Sequence, residues 1–175
     1  YKTYDTKKSA LKNARKVIKE TKCDAVKLEG GKKVIDQIKI LIKNKIPVMG
    51  HIGLLPQTVK GKFKSKGKTS KEINQLMNDA LLLQKNGVFA IVLECVKTPI
   101  AKQITKKLTI PTIGIGSSVH CDGQVLVTDD LLGLNSSNIK FVKKFINLKK
   151  HINLGLKKFA SEVRSKKYPT KKHSY

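Results

Sequence analysis

Four polar side chains stand at the ends of short apolar runs. Lys27 and Glu29 lie in Lys-Leu-Glu-Gly-Gly (27–31), His51 follows Val-Met-Gly, and Glu94 sits in Val-Leu-Glu-Cys-Val. A carboxylate placed beside apolar residues loses hydration, and the loss is costly unless the group is paired or its pKa rises. That is how a general base for removing a proton next to a carbonyl is tuned. The 175-residue chain has only 12 Asp and Glu, so two acids at the ends of apolar runs are informative. Blander assignments stand beside this one. Lys27 and Glu29, two apart on one strand face, can simply neutralise each other, and His51 can be a satisfied loop histidine. The turn Gly114-Ile115-Gly116 can serve only to relieve close packing. His120 and Cys121 lack the second pair of ligands that a tetrahedral zinc site needs. The lysine-rich run 60–68 is a solvated loop unless an anion docks there.

The elements that must position these residues follow from apolar spacing. Ala10, Leu11, Ala14, Val17 and Ile18 mark a helix capped by Asp5 or Thr6, and 24–28 a strand ending at Glu-Gly-Gly. Val34, Ile38, Leu41 and Ile42 mark a second helix, followed by a strand over 46–49 and a long loop from His51 to Lys68. Thr69-x-x-Glu72 opens a third helix as a capping box, and Asn86-Gly87 closes it. The continuous apolar run 88–93 predicts a strand covered on both faces. Thr98-Pro99 starts a short helix to about Lys107, and strands are expected at 112–116 and 124–127. Phe141, Val142, Phe145 and Leu148 predict one further helix, and Ile152, Leu156, Phe159, Ala160 and Val163 another.

Strands alternating with helices predict an α/β fold with a parallel sheet and helical crossovers. Neither Gly-x-Gly-x-x-Gly nor Gly-x-x-x-x-Gly-Lys-Ser/Thr occurs, which argues against the nucleotide-binding doubly wound folds. A TIM (β/α)8 barrel remains, with functional residues at the C-terminal ends of strands. Eight βα units typically take about 250 residues, so five of the eight are expected: residues 1–165 in one barrel domain, with a tail at 166–175.

Composition narrows the function classes. The net charge is +25, yet all but two of the 37 basic residues are Lys, the exceptions being Arg15 and Arg164. Nucleic-acid sites draw on Arg for bidentate contacts and on aromatics for stacking. Here Trp is absent and aromatics make up 5%. The charge is therefore assigned to solvated faces. No apolar run reaches the roughly 20 residues of a membrane span. Cys23, Cys95 and Cys121 form no Cys-x-x-Cys pair, and no leader is visible, so a cytoplasmic protein is expected. The first residue is not Met, and the true N-terminus is expected elsewhere.

Five ordered motifs resemble the ketopantoate hydroxymethyltransferase family: Lys-Leu-Glu-Gly-Gly at 27–31, Val-Met-Gly-His-Ile-Gly-Leu-Leu-Pro-Gln-Thr-Val at 48–59, Ala-Ile-Val-Leu-Glu-Cys-Val at 90–96, Ile-Pro-Thr-Ile-Gly-Ile-Gly at 110–116 and Cys-Asp-Gly-Gln-Val-Leu-Val at 121–127. The resemblance extends to the closing Tyr-Pro-x-x-x-His-Ser-Tyr at 168–175. It implies a barrel enzyme of pantothenate biosynthesis that transfers a hydroxymethyl group from 5,10-methylenetetrahydrofolate to 3-methyl-2-oxobutanoate. By the same resemblance Glu94 falls on the proton acceptor, Lys27 and His51 on substrate-binding residues, and Glu29 on a carboxylate at a magnesium ion. The resemblance also implies that these are the last five of the eight βα units, with three absent before Tyr1, and that two further Asp ligands lie upstream of this chain. The partners implied are a 2-oxo acid and a folate, with neither membrane nor nucleic acid, in a homo-oligomer. Departures from the family pattern are a shortened loop after Pro56-Gln57 with Lys62 in place of a glycine, and Ser117-Ser118 in place of Ala-Gly. The rival reading is an incomplete barrel, inactive alone, that binds polyanions or RNA or needs an N-terminal partner chain.

Overall fold

Thr6 ends an extended segment and turns its hydroxyl to the Ser9 N–H at 3.1 Å, while the Ser9 hydroxyl accepts from the Thr6 N–H at 3.0 Å. This reciprocal cap starts α1, Lys7–Thr21. The computed structural model describes residues 2–59, 64–136 and 139–175. The departure at Lys62 and part of the lysine run 60–68 lie outside the described residues. After α1 come β1 (Val26–Glu29), α2 (Ile35–Lys43), β2 (Val48–Gly53), α3 (Ser70–Lys85), β3 (Ala90–Glu94), α4 (Thr98–Lys107), β4 (Thr112–Ile115) and β5 (Gly123–Gln124). The chain divides into two compact units, one ending at Val125 and one beginning at Leu126.

In the first unit the five strands form one parallel sheet in the order β1-β2-β3-β4-β5, each beside its predecessor in the chain. Right-handed crossovers that always step in one direction put their helices on one face of the sheet. Leu28, Val48, Ile52, Ile91 and Leu93 point to that face and join Ile38 and Leu41 of α2, Leu76, Ala80 and Leu83 of α3, and Ile100 and Ile104 of α4 in one core. Each such side chain contributes about 1.5–3 kcal/mol when fully buried. Side chains alternate along a strand, so the register sends the intervening residues to the opposite face. Glu29 pairs with His51, His51 with Val92, and Gly53 with Glu94. Lys27, Glu29, His51 and Glu94 therefore share the face that the core helices do not cover.

Three expectations are corrected. The second strand does not stop at Met49: β2 runs to Gly53 because Met49 to Gly53 pair with β3 along their whole length. His51 is thus an interior strand residue, and the loop begins at Leu54. The last strand is confined to Gly123–Gln124, which are in register with Ile113 and Gly114 of β4, and it ends where the Val125 N–H donates to the Gly114 carbonyl at 3.0 Å; Val125 and Val127 are exposed. No helix spans Phe141 to Leu148. In the second unit the Phe145 N–H instead donates to the Leu131 carbonyl at 2.9 Å and the Leu148 N–H to that of Leu132 at 3.0 Å. The short helix α5, Thr128–Leu131, carries too few residues to show a period, and α6 runs from Leu148 to Arg164 with Asn147 as its cap. Among the described residues no helix is long and apolar enough to cross a membrane.

The start of β4 is held by Asp122. Its Oδ2 accepts from the N–H of the fully buried Thr112 at 2.8 Å and from the Thr112 hydroxyl at 2.9 Å. These bonds, the N–H first, hold the Asp122 carboxyl below the usual carboxylate range. A depressed folded-state pKa stabilises above the unfolded carboxylate's range and ceases to do so as pH falls through the folded value. Asp122→Ala leaves the buried Thr112 N–H unpaired, so a loss of about 1–3 kcal/mol is expected at neutral pH. Urea unfolding checks both parts: the gap between wild type and variant should narrow in acid.

Candidate active site

β1 delivers Lys27 and Glu29, β2 delivers His51 and β3 delivers Glu94, all at or near the C-terminal ends of their strands. The arrangement centres on His51, which is 1% exposed. Lys27 Nζ lies 3.1 Å from His51 Nδ1. An ammonium can only donate, so Nδ1 accepts and the ring proton of the neutral imidazole belongs on Nε2. Nε2 stands 3.2 Å from Glu94 Oε2, yet the angle is not that of a hydrogen bond, and among the described residues Nε2 has no other partner. A buried N–H without a partner is costly. It faces the carboxylate that the sequence marks as a base, where it can hold either that carboxylate or an oxygen of a bound molecule.

Glu29 is 7% exposed. Its Oε2 accepts from the Gln57 N–H at 3.0 Å, and its Oε1 lies 3.7 Å from His51 Nδ1. The bland assignment for the Lys27 and Glu29 pair is not what the structure shows, since Lys27 engages His51 and no ion pair joins it to Glu29 among the described residues. Lys27, Glu29, His51 and Glu94 are thus brought together as one group. His120 and Cys121 do not join them in a metal centre: among the described residues no three His, Cys, Asp or Glu cluster so as to hold an ion.

The backbone around Glu94 is fixed from both sides. Its carbonyl accepts from the Leu54 N–H at 2.8 Å, and the next N–H, that of Cys95, donates to the Ile115 carbonyl at 2.9 Å. Cys95 adopts a left-handed backbone with φ 53°, which turns the chain away immediately after the acid. Burial pushes the Cys95 thiol up, and the charge of Glu94 adds to the shift. A thiol so held is a poorer nucleophile than a free one.

Two residues that periodicity could not single out complete the surroundings of Glu29. Tyr4 accepts from the Glu29 N–H and donates to Gln57 Oε1, each at 3.3 Å. Burial raises the pKa of its phenol, partly offset by the Glu29 N–H. Tyr4 belongs to no helix or strand stripe, and Gln57 carried only the signal of lying inside a matched motif. Ser117 and Ser118 lie in the loop after β4: the Ser117 hydroxyl donates to the Val96 carbonyl at 3.0 Å, and Ser118 accepts from the His120 N–H and, through its carbonyl, from Gln124 Nε2.

A cleft of about 440 Å³ opens at the ends of β1 and β2, bordered by Gly31, Lys32, Gly53, Lys66, Glu72 and Asp79 among others. Lys27, Glu29, His51 and Glu94 do not line it, because it opens on the helix side of the sheet. There the Asp79 carboxylate caps the Lys32 N–H at 2.8 Å and occupies the space where a Cβ on Gly31 would stand, 2.0 Å from its Cγ. The second glycine of Lys-Leu-Glu-Gly-Gly is therefore required by packing. Glu72 is likewise a structural acid: the Lys68 and Gly67 N–H groups bond its carboxylate and hold it below the usual range.

The model of the ketopantoate hydroxymethyltransferase family matches residues 1–171. Three curated relatives are each named 3-methyl-2-oxobutanoate hydroxymethyltransferase. That of Pelagibacter ubique is 60% identical over 173 residues, covering 99% of this chain and 67% of the relative. That of Syntrophomonas wolfei is 45% identical over 173 residues, covering 97% and 63%. That of Clostridioides difficile is 47% identical over 169 residues, covering 95% and 62%. The chain spans about two thirds of the length of these relatives.

Proposed function

The chain belongs to the ketopantoate hydroxymethyltransferase family, and from that premise we propose that its protein transfers a hydroxymethyl group from 5,10-methylenetetrahydrofolate to 3-methyl-2-oxobutanoate, giving 2-dehydropantoate. The observation that carries the reading is the group on the sheet face away from the core helices, in which the Glu94 carboxylate lies 3.2 Å from His51 Nε2, with Lys27 and Glu29 on the same side. Glu94 takes the proton from C3 of the keto acid. The negative charge that develops on the carbonyl oxygen meets the His51 Nε2–H, a donor already in place before the proton moves, while the Lys27 ammonium on the Nδ1 side of the ring strengthens that donor. The enolate carbon then attacks the one-carbon unit, forming the new C–C bond. Tetrahydrofolate leaves, and water supplies the hydroxyl oxygen in the overall balance.

Magnesium, which the resemblance implies, would find one carboxylate in these residues, Glu29. The described residues hold no group of three ligands that could cradle the ion, so by themselves they do not fit it and the steps above run on side chains alone. We further infer that β1 to β5 are five consecutive strands of a (β/α)8 barrel, with 166–175 as a tail. Sequential parallel order without reversal supports this, as does the gathering of polar residues at the C-terminal strand ends. A cytoplasmic homo-oligomer is part of the same proposal: Ile152, Leu156, Phe159 and Val163 of α6 remain about half exposed, and a subunit interface would cover such a stripe. No observation favours the polyanion-binding alternative.

The test is turnover by the product of the complete gene with 3-methyl-2-oxobutanoate, 5,10-methylenetetrahydrofolate and magnesium. Formation of 2-dehydropantoate is expected. A folded protein that makes none, and that incorporates no deuterium at C3 of the keto acid in D2O, would sink the reading.

A further inference from the structure

The reading above makes Glu29 a group that faces the reacting molecule, and resting on it we propose that Tyr4 and Gln57 are positioning residues that lock the Glu29 carboxylate, holding one oxygen in the turn after β2 and leaving the other to the site. Three segments close a ring. The Glu29 N–H donates to the Tyr4 hydroxyl, the Tyr4 hydroxyl donates to Gln57 Oε1, and the Gln57 N–H donates to Glu29 Oε2. Glu29 is thus held at its backbone and at one carboxylate oxygen by the same two residues. The carboxylate has one donor, the Gln57 N–H, and the ring acts on it by fixing that donor: Tyr4 holds the Gln57 side chain and is itself held by the Glu29 backbone, which leaves Oε1 to the site.

The ring also ties a loop to the chemistry. Thr58 and Val59 both donate to the Leu55 carbonyl, closing the turn that aims the Gln57 N–H at Glu29, and the Leu54 N–H at the start of that turn donates to the Glu94 carbonyl. The segment 54–59 therefore touches both acids, at the Glu29 side chain and at the Glu94 backbone. The Tyr4 hydroxyl sits on the side of β1 away from β2 and there takes up the Glu29 N–H. If the ring opens, Glu29, whose Oε1 lies 3.7 Å from His51 Nδ1, is free to turn and compete with Nδ1 for the Lys27 ammonium.

Tyr4→Phe removes only the hydroxyl, and Gln57→Leu removes only the acceptor while keeping the backbone N–H. Both are made in the complete gene product. Two readouts are compared: amide hydrogen exchange of the 54–59 segment by mass spectrometry, and deuterium incorporation at C3 of 3-methyl-2-oxobutanoate without folate. Amide exchange of the segment should quicken by about tenfold in each variant with unchanged far-UV circular dichroism. The maximal rate of C3 exchange should fall by about tenfold, the lower end of what supporting partners of a site carboxylate are worth, with a smaller change in KM. Because the two changes break one ring, the double variant should be no worse than either single one. Unaltered amide exchange overturns the ring, and altered amide exchange with wild-type C3 exchange overturns the positioning role. A wild-type protein that exchanges no C3 proton defeats the enzymatic reading, whereas the amide measurement still decides whether the ring exists.

Discussion

Replacing Glu94 with Gln should slow C3 proton removal from 3-methyl-2-oxobutanoate by about 10²–10⁴-fold, the usual worth of a positioned general base. The substitution keeps the size of the side chain and an oxygen that can face the His51 Nε2–H 3.2 Å away, so only basicity is lost. The backbone bonds that seat Glu94, from Leu54 and to Ile115, do not involve the side chain and should survive. Deuterium incorporation at C3, followed by NMR with no folate present, isolates this step from the later carbon–carbon bond formation. Glu29→Gln is the informative control, because Glu29 lies against the Nδ1 side of His51 while Glu94 faces Nε2. A rate for Glu94→Gln within a few-fold of wild type would remove Glu94 as the base. An effect on folate-dependent turnover alone would place it in the second half of the reaction.

How much of this could be read without coordinates differs between levels. The core helices were legible because apolar spacing is a direct consequence of burying one face: Ala10 and Ala14 of the first stripe and Ile38 and Leu41 of the second are fully or nearly fully buried. The four residues of the proposed site stood out because a polar side chain directly after an apolar run has no packing reason to be there. The extent of β2 was not, since Gly50 and Gly53 look like terminators in the sequence, while pairing with β3, a long-range interaction, decides the strand's length. That error hid the placement of His51 inside a strand, and with it the contact to Lys27. The apolar stripe at Phe141, Val142 and Phe145 misled for the opposite reason: backbone bonds to Leu131 and Leu132 hold this segment in a non-helical path. Tyr4 and Gln57 had no pattern to betray them, because their roles come from hydrogen bonds between segments 53 residues apart.

Gly53→Ala should be the most damaging single change outside the charged group, although it alters no group that takes part in chemistry. Gly53 has φ 101°, a region that side-chain-bearing residues avoid at a cost of about 1–3 kcal/mol. A Cβ there would also lie 2.2 Å from the Glu94 carbonyl oxygen and 2.8 Å from Val96 Cγ2. The Val96 methyl can yield, but the carbonyl cannot move without the residue that bears it. Gly53 and Glu94 are register partners across β2 and β3, and the next residue, Leu54, donates its N–H to that same carbonyl. Relief of the clash therefore pushes Glu94 away from the site or peels Leu54 off it, and with Leu54 the turn that holds Glu29. A displacement of about 1 Å at the base is enough to lower turnover roughly 10²-fold. Thermal unfolding and C3 exchange measured on one preparation separate the two costs. A variant that is destabilised yet exchanges at the wild-type rate would mean that the strand pair, and not the placement of Glu94, is what Gly53 protects.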